Sequence, residues 1–273
     1  MHFITISQML GTEGEKIARK VAGDLKYAFY GEQELFKAAE ELDVLADVKE
    51  LDEKAPSFLE RIFSEKPKIH LDRLQSVIYD VAKKGDAVFF GRGSQLLLNS
   101  FSCAFHVLVI GSHEKRMERV MKEMSLGREA AEKMISRSDQ EKRDFIQFAF
   151  SEDWLNFHLY DLIFNTDKLS VDSAAKAIID SAQSEEIKDC ARDSVNTLGK
   201  LSLQRRIESA FLESSLPSSH LFFAVEDAEN VRLYGFASSK EEKGQVENMV
   251  KRVRGVREIR NEINIFTHGA GGI

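Results

Sequence analysis

Short apolar runs alternate with long charged segments over the first two thirds of the chain. The apolar runs have the length and composition of buried strands and fall at Phe3–Ile6, Ala87–Phe90, Phe105–Ile110 and Leu162–Phe164. Segments with the periodicity of amphipathic helices occur at Glu15–Leu25, Glu34–Leu45, His70–Lys84, Glu114–Met124, Arg128–Phe150 and Val171–Ala182. Because parallel strands need helical crossovers that cover both faces of the sheet, this alternation predicts a three-layer α/β domain with a parallel sheet.

The last third of the chain has a different pattern, which predicts a second and smaller α+β domain. A polar stretch at residues 185–200 is interpreted as a linker after the first domain at residues 1–184. Residues 201–267 are predicted to form an α-β-β-α-β unit, with helices at Leu201–Leu212 and Lys240–Val253 and strands at Leu221–Glu226, Asn230–Phe236 and Val256–Phe266. The glycine-rich residues 268–273 are expected to form a flexible tail.

Composition excludes several classes of protein. The formal net charge of −7 argues against a nucleic-acid binder that works by broad phosphate neutralisation. Cys103 and Cys190 lie far apart and outside any CxxC motif, so we expect a reducing compartment with neither a disulfide framework nor a metal site. No signal peptide and no membrane span is expected, which makes the cytoplasm the predicted location. His106 lies inside an apolar run and is predicted to be a hydrogen-bonded core histidine.

The stretch SQMLGTEGEKIARKVAGDL, residues 7–25, follows the first predicted strand and opens the first predicted helix. Gly11 and Gly14 give this loop the backbone freedom of a phosphate-binding loop, and the helix N-terminus supplies N–H groups for an anion. Lys16 is the nearest cation, but Glu13 and Glu15 would repel a triphosphate that they face. The alternative is a plain strand–helix turn whose carboxylates favour the helix N-terminus.

Further motifs along the first domain resemble the cytidylate kinase-like family, which is related to nucleoside monophosphate kinases. They are VFFGRGSQLLL, AFHVLVIGSHEKRMERVM, ISRSDQEKRDFI and YDLIFNTDKLSVDSAAKAII, in that order over residues 2–182. The resemblance implies a P-loop kinase-like fold with a mobile, arginine-bearing lid. It also implies transfer of a phosphoryl group from ATP, with Mg²⁺, to CMP or dCMP.

The resemblance implies a role for individual residues of this sequence. Those expected at the ATP phosphates are Gly11, Thr12, Gly14, Lys16, Arg116 and Arg119. Arg92, Arg137 and Arg143 are expected to act on the transferring phosphate, and Lys37, Arg92, Asp139 and Arg143 to bind the acceptor nucleotide. No residue is expected to bind a metal directly, and Thr12 would ligate Mg²⁺ only in a rearranged loop. Because the charges around Arg116 and Arg119 alternate as on exposed helices, a salt-bridged surface role for them stays open.

The loop departs from the pattern of the family it resembles, which tends to be Gly-Ser-Gly-Gly-Arg-Glu. Here the same stretch is Gly-Thr-Glu-Gly-Glu-Lys, residues 11–16, so a glycine and an arginine have become Glu13 and Glu15. Two hypotheses follow. One is a cytidylate kinase-type enzyme, weak because of its degraded loop. The other is a non-catalytic protein that senses a nucleotide or another ligand and passes its output through the second domain.

The second domain resembles the BON domain through LSLQRRIESAF and VRLYGFASSKEEKGQVENMVKRVRGVREIRNEINI. Gly235 and Gly255 fall where turns or close backbone approaches are expected. The resemblance implies a binding module without catalytic residues. Its expected partner is a small soluble ligand or another protein.

Overall fold

The computed structural model describes residues 2–42, 67–187, 189–190, 193–214, 216 and 219–266. The expected flexible tail at residues 268–273, part of the predicted linker and the end of the predicted helix Glu34–Leu45 lie outside these residues. Contacts divide the chain into two compact units. The first unit comprises described residues within 1–38 and 84–191, and the second comprises those within 39–83 and 192–273.

The described helices are labelled α1 to α9 in chain order. They span Gly14–Leu25, Glu32–Glu41, Pro67–Ala82, Ser94–Leu97, His113–Met124, Arg128–Phe150, Val171–Ala182, Ser194–Glu213 and Lys240–Lys251. A 3-10 turn occupies Phe157–Leu159. Among the described residues, no helix is both long enough and apolar enough to cross a membrane.

A five-stranded parallel sheet forms the centre of the first unit. Its strands β1 to β5 are Phe3–Gln8, Ala28–Tyr30, Ala87–Phe90, Ala104–Ile110 and Leu162–Asn165. The spatial order is β2-β3-β1-β4-β5, and Phe3 of central β1 lies opposite Ala87 on one side and Ala104 on the other. The four predicted strands are confirmed. The edge strand β2 was not predicted, because its three residues are exposed or half-buried and form no apolar run.

Packing against the sheet explains why the sequence forms these helices. Ile4 and Ile6 of β1 share one buried cluster with Ile17 and Val21 of α1, and Ile178 of α7 joins the same cluster. Burying a branched aliphatic side chain contributes about 1.5–3 kcal/mol, so the apolar stripe of each helix fixes which face meets the sheet. The sequence prediction of an α/β domain with a parallel sheet is confirmed.

The expectation of no disulfide was wrong, because Cys103 and Cys190 are bonded to each other. They lie 87 positions apart in sequence, with a Cα–Cα distance of 4.8 Å. Cys103 precedes β4, at the amino edge of the sheet. Because α7 follows β5 and runs back toward that same edge, the chain after α7 brings Cys190 to Cys103. No local sequence motif predicts this contact between distant residues.

The second unit contains a three-stranded sheet with strands β6 to β8 at Leu221–Val225, Asn230–Ala237 and Glu258–Ile265. β6 pairs with β7 antiparallel, and β8 pairs with β7 in parallel after the crossover helix α9. The predicted α-β-β-α-β order is therefore confirmed. One face of the sheet packs against α8 and α9 through a cluster that includes Leu203, Val246 and Val250.

Helix α8 begins at Ser194, within the residues predicted as linker, because Leu198 and Leu203 continue a buried stripe that the polar neighbours conceal. Helix α3, which the sequence placed in the first domain, belongs to the second unit by its contacts. Ion pairs join α3 to α8, including Asp80 with Arg206. Asp72 pairs with Arg205 at 3.5 Å.

Candidate functional site

The loop between β1 and α1 is wound tightly against its surroundings. Gly11 has a φ of +84°, and a Cβ on it would lie 2.7 Å from the carbonyl oxygen of Arg116. At Gly14, the first residue of α1, a Cβ would lie 2.6 Å from the Cβ of Gln8. Only glycine fits both positions without moving the backbone, so the two glycines determine the shape of the loop.

The start of α1 leaves backbone N–H groups without a partner in the described part of the chain. No described residue accepts a hydrogen bond from the N–H groups of residues 13–16. The first intrahelical bond runs from the N–H of Ile17 to the carbonyl of Glu13. Such N–H groups at a helix N-terminus attract anions, and the loop therefore keeps the backbone of a phosphate-binding loop.

The polar side chains of the loop form hydrogen bonds with protein groups. Thr12 is fully buried, and its hydroxyl donates to the carbonyl of Met9 at 2.7 Å. Lys16 Nζ donates to Glu13 Oε1 at 2.9 Å and also to the carboxylate of Glu123. These hydrogen bonds, first that with Glu123 and then that with Glu13, raise the pKa of Lys16.

Arg116 supports the loop from α5. Its Nε donates to the carbonyl of Leu10 at 2.7 Å, and its Nη2 lies 2.8 and 2.9 Å from the two carboxylate oxygens of Asp139. With its side chain only 5% exposed, this arginine satisfies buried acceptors in the protein. Arg116 is thus salt-bridged, as the alternative had it, but it is buried and does not lie on the surface.

Arg119 contacts the loop from the same helix. Its Nη2 donates to the carbonyl of Thr166 at 2.6 Å, and its Nη1 to the hydroxyl of that residue at 2.9 Å. Nη1 also reaches the carbonyl of Gly11 at 3.4 Å, and Nε lies 3.8 Å from Glu13. The residues expected at the ATP phosphates therefore do converge on the loop, but their charges are directed at protein oxygens.

Arg92 follows β3, at the carboxyl edge where ligands bind in parallel sheets. It has a φ of +61° and stands between two glycines that also have positive φ. Its Nη2 lies 2.6 Å from Glu32 Oε2, with 16% of the side chain exposed. Burial lowers the pKa of Arg92, and the nearby Glu32 carboxylate opposes that shift.

Lys142 shares this region with Arg92. Its Nζ donates to the hydroxyl of Ser138 at 2.7 Å and lies 5.9 Å from the centroid of the Trp154 ring. Burial lowers its pKa to about 8; Asp139 opposes this shift, and the charges of Arg116 and Arg92 add to it. The lysine is therefore a partly desolvated cation that other cations repel. A bound anion would reduce this repulsion and stabilise the charged form of Lys142.

Two polar atoms in the same part of the first unit are buried without a partner among the described residues. They are Ser94 Oγ and Trp154 Nε1, on residues that are 1% and 2% exposed. Tyr160 connects their surroundings, since its hydroxyl donates to the Trp154 carbonyl at 2.7 Å and accepts from Gln95 at 3.3 Å. Unsatisfied buried donors cost about 1–3 kcal/mol each, so a bound acceptor would stabilise this region.

The other residues expected at the transferring phosphate or the acceptor are exposed or bonded to protein groups. Arg137 is exposed, and its Nε donates to Glu141 at 2.6 Å. Arg143 is exposed and donates to Gln140 at 3.0 Å. Lys37 is exposed on α2. Asp139 accepts from Arg116, as described above, instead of facing an open cleft.

Lys142 was missed by the sequence analysis, although a signal for it exists. The buried residues Ile135 and Ile146 mark the inward face of α6. Asp139 and Lys142 lie between them at helical 4-3-4 spacing, so they share this face. Arg143 is one residue further on, about 100° around the helix, and points outward.

His106 is a core histidine, as predicted. Its Nδ1 lies 2.8 Å from the Thr5 hydroxyl, and its backbone N–H donates to Asp161 at 2.7 Å. Burial lowers its pKa, so the neutral ring is favoured. In the part of the chain that the structure describes, no cluster of three or more His, Cys, Asp or Glu residues is arranged to hold a metal ion.

The parallel order of the sheet, with a glycine loop leading from β1 into α1, defines a P-loop kinase-like domain, and a small mixed sheet with helices follows it. Residues 3–168 match the model of the cytidylate kinase-like family, and residues 201–265 match that of the BON domain. The chain belongs to the cytidylate kinase-like family and carries a BON domain.

One solved structure supports the fold of the first two thirds of the chain, and others show a weaker similarity to it. A crystal structure of an uncharacterized protein from Eubacterium ventriosum ATCC 27560 has a TM-score of 0.55 at 20% identity, covering 68% of this chain and 100% of that one. Shikimate kinase from Bacteroides thetaiotaomicron is similar at a TM-score of 0.42 and 11% identity, covering 67% of this chain and 99% of that one. Shikimate kinase from Acinetobacter baumannii, in complex with shikimate, has a TM-score of 0.41 and 14% identity, with 69% and 96% covered. No curated protein matches the chain.

Proposed function

We propose that this protein is a kinase-fold nucleotide sensor that binds a nucleoside monophosphate and does not carry out efficient phosphoryl transfer. The observation that carries the proposal is that the cations around the loop are bonded to protein oxygens. Lys16 is held by two carboxylates, and Arg119 by Thr166 and the loop itself. Phosphoryl transfer depends on positive charge directed at the phosphates, and this loop directs little of it there.

The loop residues do not fit a magnesium–triphosphate group. The hydroxyl of Thr12, the natural candidate for a magnesium ligand, donates to Met9 instead. Glu13 and Glu15 add two negative charges at the helix N-terminus, where a triphosphate would lie. The loop residues therefore do not fit ATP and Mg²⁺, which the family resemblance implied.

The acceptor side differs from the loop in holding two cations, Arg92 and Lys142, whose pKa values burial lowers, although Arg92 also pairs with Glu32. Arg92 and Lys142 act on each other electrostatically, and the Lys142 ammonium is half-buried. A phosphate dianion would accept hydrogen bonds from both and offset their mutual repulsion. Ser94 Oγ and Trp154 Nε1 are additional buried donors in this unit. The family resemblance favours CMP or dCMP as the monophosphate, with Arg92 and Lys142 as the phosphate-binding residues.

Calorimetry and a coupled assay test the proposal together. We expect CMP to raise the thermal midpoint of the full chain, and Lys142→Gln to abolish that shift. Arg143→Gln, one residue away and exposed, should keep it. We expect no turnover of CMP with ATP and Mg²⁺ above background, in the native protein or in the Arg143→Gln control. Native turnover at the rate of an ordinary kinase, about 1–100 per second, would overturn the sensor assignment.

The BON domain is proposed as a second binding module, with residues 201–267 as its extent and residues 185–200 as the connection to the kinase-like domain. We propose that it takes a small ligand or a protein, and that the output of the sensor passes through it. We expect CMP to change the affinity of the BON domain for its partner, measured on the full chain, because binding at two coupled sites is reciprocal. The cytoplasmic location stays a prediction.

A further inference from the structure

An open groove of about 530 Å³ runs between α8 and α9 in the second unit. Its floor is apolar and consists of Ala210, Met249 and Val253, which are half-buried. Met249 and Val253 also pack on the core of this unit. The floor therefore presents an apolar surface to whatever enters the groove.

Three polar side chains line the groove along α9. Gln245 and Asn248 of α9 and Arg252, the residue directly after its end, lie at i, i+3 and i+7, so they occupy one face on successive turns. Their side chains are exposed and make no hydrogen bond or ion pair with any described residue. Two amides and one guanidinium are thus available to a ligand, in a fixed row beside the apolar floor.

The charges of the groove favour an anion at one end. Glu213 on the α8 wall is neutralised by Arg73, and its carboxylate also accepts from Ser209 at 3.2 Å. Arg252 has no such partner among the described residues, so it is the uncompensated charge of the groove. A guanidinium binds a carboxylate through two parallel hydrogen bonds, and side-chain amides pair with the N–H and C=O groups of an extended peptide.

We propose that this groove binds the C-terminus of a peptide, with the free carboxylate on Arg252 and an apolar side chain on Met249 and Val253. Gln245 and Asn248 hydrogen-bond the peptide backbone next to that side chain. The site lies in the BON domain and is independent of the nucleotide proposal for the first unit. A C-terminal apolar residue carries both groups that the groove matches, a carboxylate for the cation and an apolar side chain for the floor.

A pair of synthetic peptides tests the proposal directly. The full chain, labelled with ¹⁵N, is titrated with acetyl-Gly-Ala-Leu carrying a free carboxylate, and separately with the same peptide as its C-terminal amide. We expect the side-chain amide signals of Gln245 and Asn248 to shift with the free acid. The amide should bind about tenfold more weakly, because it loses charge-assisted hydrogen bonds to Arg252.

A matched pair of variants separates the groove from general electrostatics. Arg252→Gln should bind both peptides with the same weak affinity, whereas Lys251→Gln, which removes a neighbouring charge of α9, should keep the tenfold preference for the free acid. Equal affinity of the native chain for the two peptides overturns the proposal. So do shifts that map outside α8 and α9, or no shifts up to millimolar peptide.

Discussion

Lys16 and Glu13 form an ion pair inside the loop that joins β1 to α1, with Lys16 Nζ 2.9 Å from Glu13 Oε1. The backbone of Glu13 is in the left-handed conformation, with a φ of +59°. The same lysine also pairs with Glu123 of α5. The cation nearest to the helix N-terminus is thus shared between two carboxylates of the protein, where an anionic ligand would otherwise compete for it.

Removing the charge of Glu13 should open this loop to anions. We expect Glu13→Gln to strengthen binding of inorganic tripolyphosphate about tenfold, because one unit of negative charge leaves a partly buried site. Glu13→Gly should do the same and also relieve the left-handed strain; that gain is offset by backbone entropy, so stability should change by less than about 1 kcal/mol. Calorimetric titration measures both. Unchanged affinity in both variants would mean that Glu13 does not repel anions at this loop.

The pKa of Lys142 predicts how CMP binding depends on pH. Because this pKa lies at about 8, the ammonium is lost as pH rises through that value. The phosphate of CMP is already a dianion above a pH of about 6, so it adds no pH dependence of its own there. We therefore expect the affinity for CMP to be highest near pH 7 and to fall between pH 8 and 9.

The groups that act on Lys142 are Asp139, Glu141, Arg116 and Arg92. The loss of the Lys142 ammonium is therefore the expected source of the pH dependence. Lys142→Gln should therefore bind weakly and show a flat profile between pH 7 and 9, measured by calorimetry. The exposed neighbour Arg143→Gln should reproduce the native profile, and a flat native profile would contradict the role of Lys142.

The sequence was sufficient to predict the fold but not the direction of the charged side chains. The strands β1, β3, β4 and β5 were predicted because each is a continuous apolar run. Lys142 and Arg143 show where prediction stopped, since they are adjacent in sequence but face opposite environments. Helical phase separates them, as Ile135 and Ile146 define the inward face of α6. The family resemblance assigned Arg143 to the acceptor phosphate, whereas the helical periodicity places Lys142 on the inward face of α6.

Hydrogen bonds between residues far apart in sequence could not be predicted, for a different reason. The ion pair between Glu13 and Lys16 is local, and their opposite charges three residues apart suggest it. The bonds from Arg116 to Leu10 and from Arg119 to Thr166 join segments 106 and 47 positions apart. Such contacts depend on the strand order of the sheet, which no single apolar run specifies.

The carboxyl of Asp72 predicts a pH-dependent weakness in the second unit. Burial raises its pKa from 3.8 to about 6; Glu208 adds to the shift, and Arg205 opposes it. Between those two values the folded state binds more protons than the unfolded state, so the free energy of unfolding falls as pH rises. Asp72→Asn should remove this loss and stabilise the protein above pH 6 by on the order of 1 kcal/mol, with less gain toward pH 4.

Urea denaturation between pH 4 and 8, followed by circular dichroism, measures the effect of Asp72→Asn. Asp24→Asn is the control, because that aspartate lies on the exposed side of α1 in the first unit and pairs with Lys20 at 3.3 Å. It should change the free energy of unfolding little across the whole range. A loss of stability in Asp72→Asn at pH 8 would show that the ion pair with Arg205 outweighs the desolvation of the carboxylate.

The bond between Cys103 and Cys190 predicts that the stability of the first unit depends on redox conditions. A disulfide that closes a loop of about 90 residues is worth up to about 4–5 kcal/mol through the unfolded chain, and the two cysteines here are 87 positions apart. We expect a dithiol reductant to lower the thermal midpoint of the native protein and to expose two thiols to an alkylating probe. The variant Cys103→Ser/Cys190→Ser should melt at the midpoint of the reduced protein, with or without reductant. Two reactive thiols in the protein purified without reductant, or a midpoint that reduction leaves unchanged, would contradict this role for the bond.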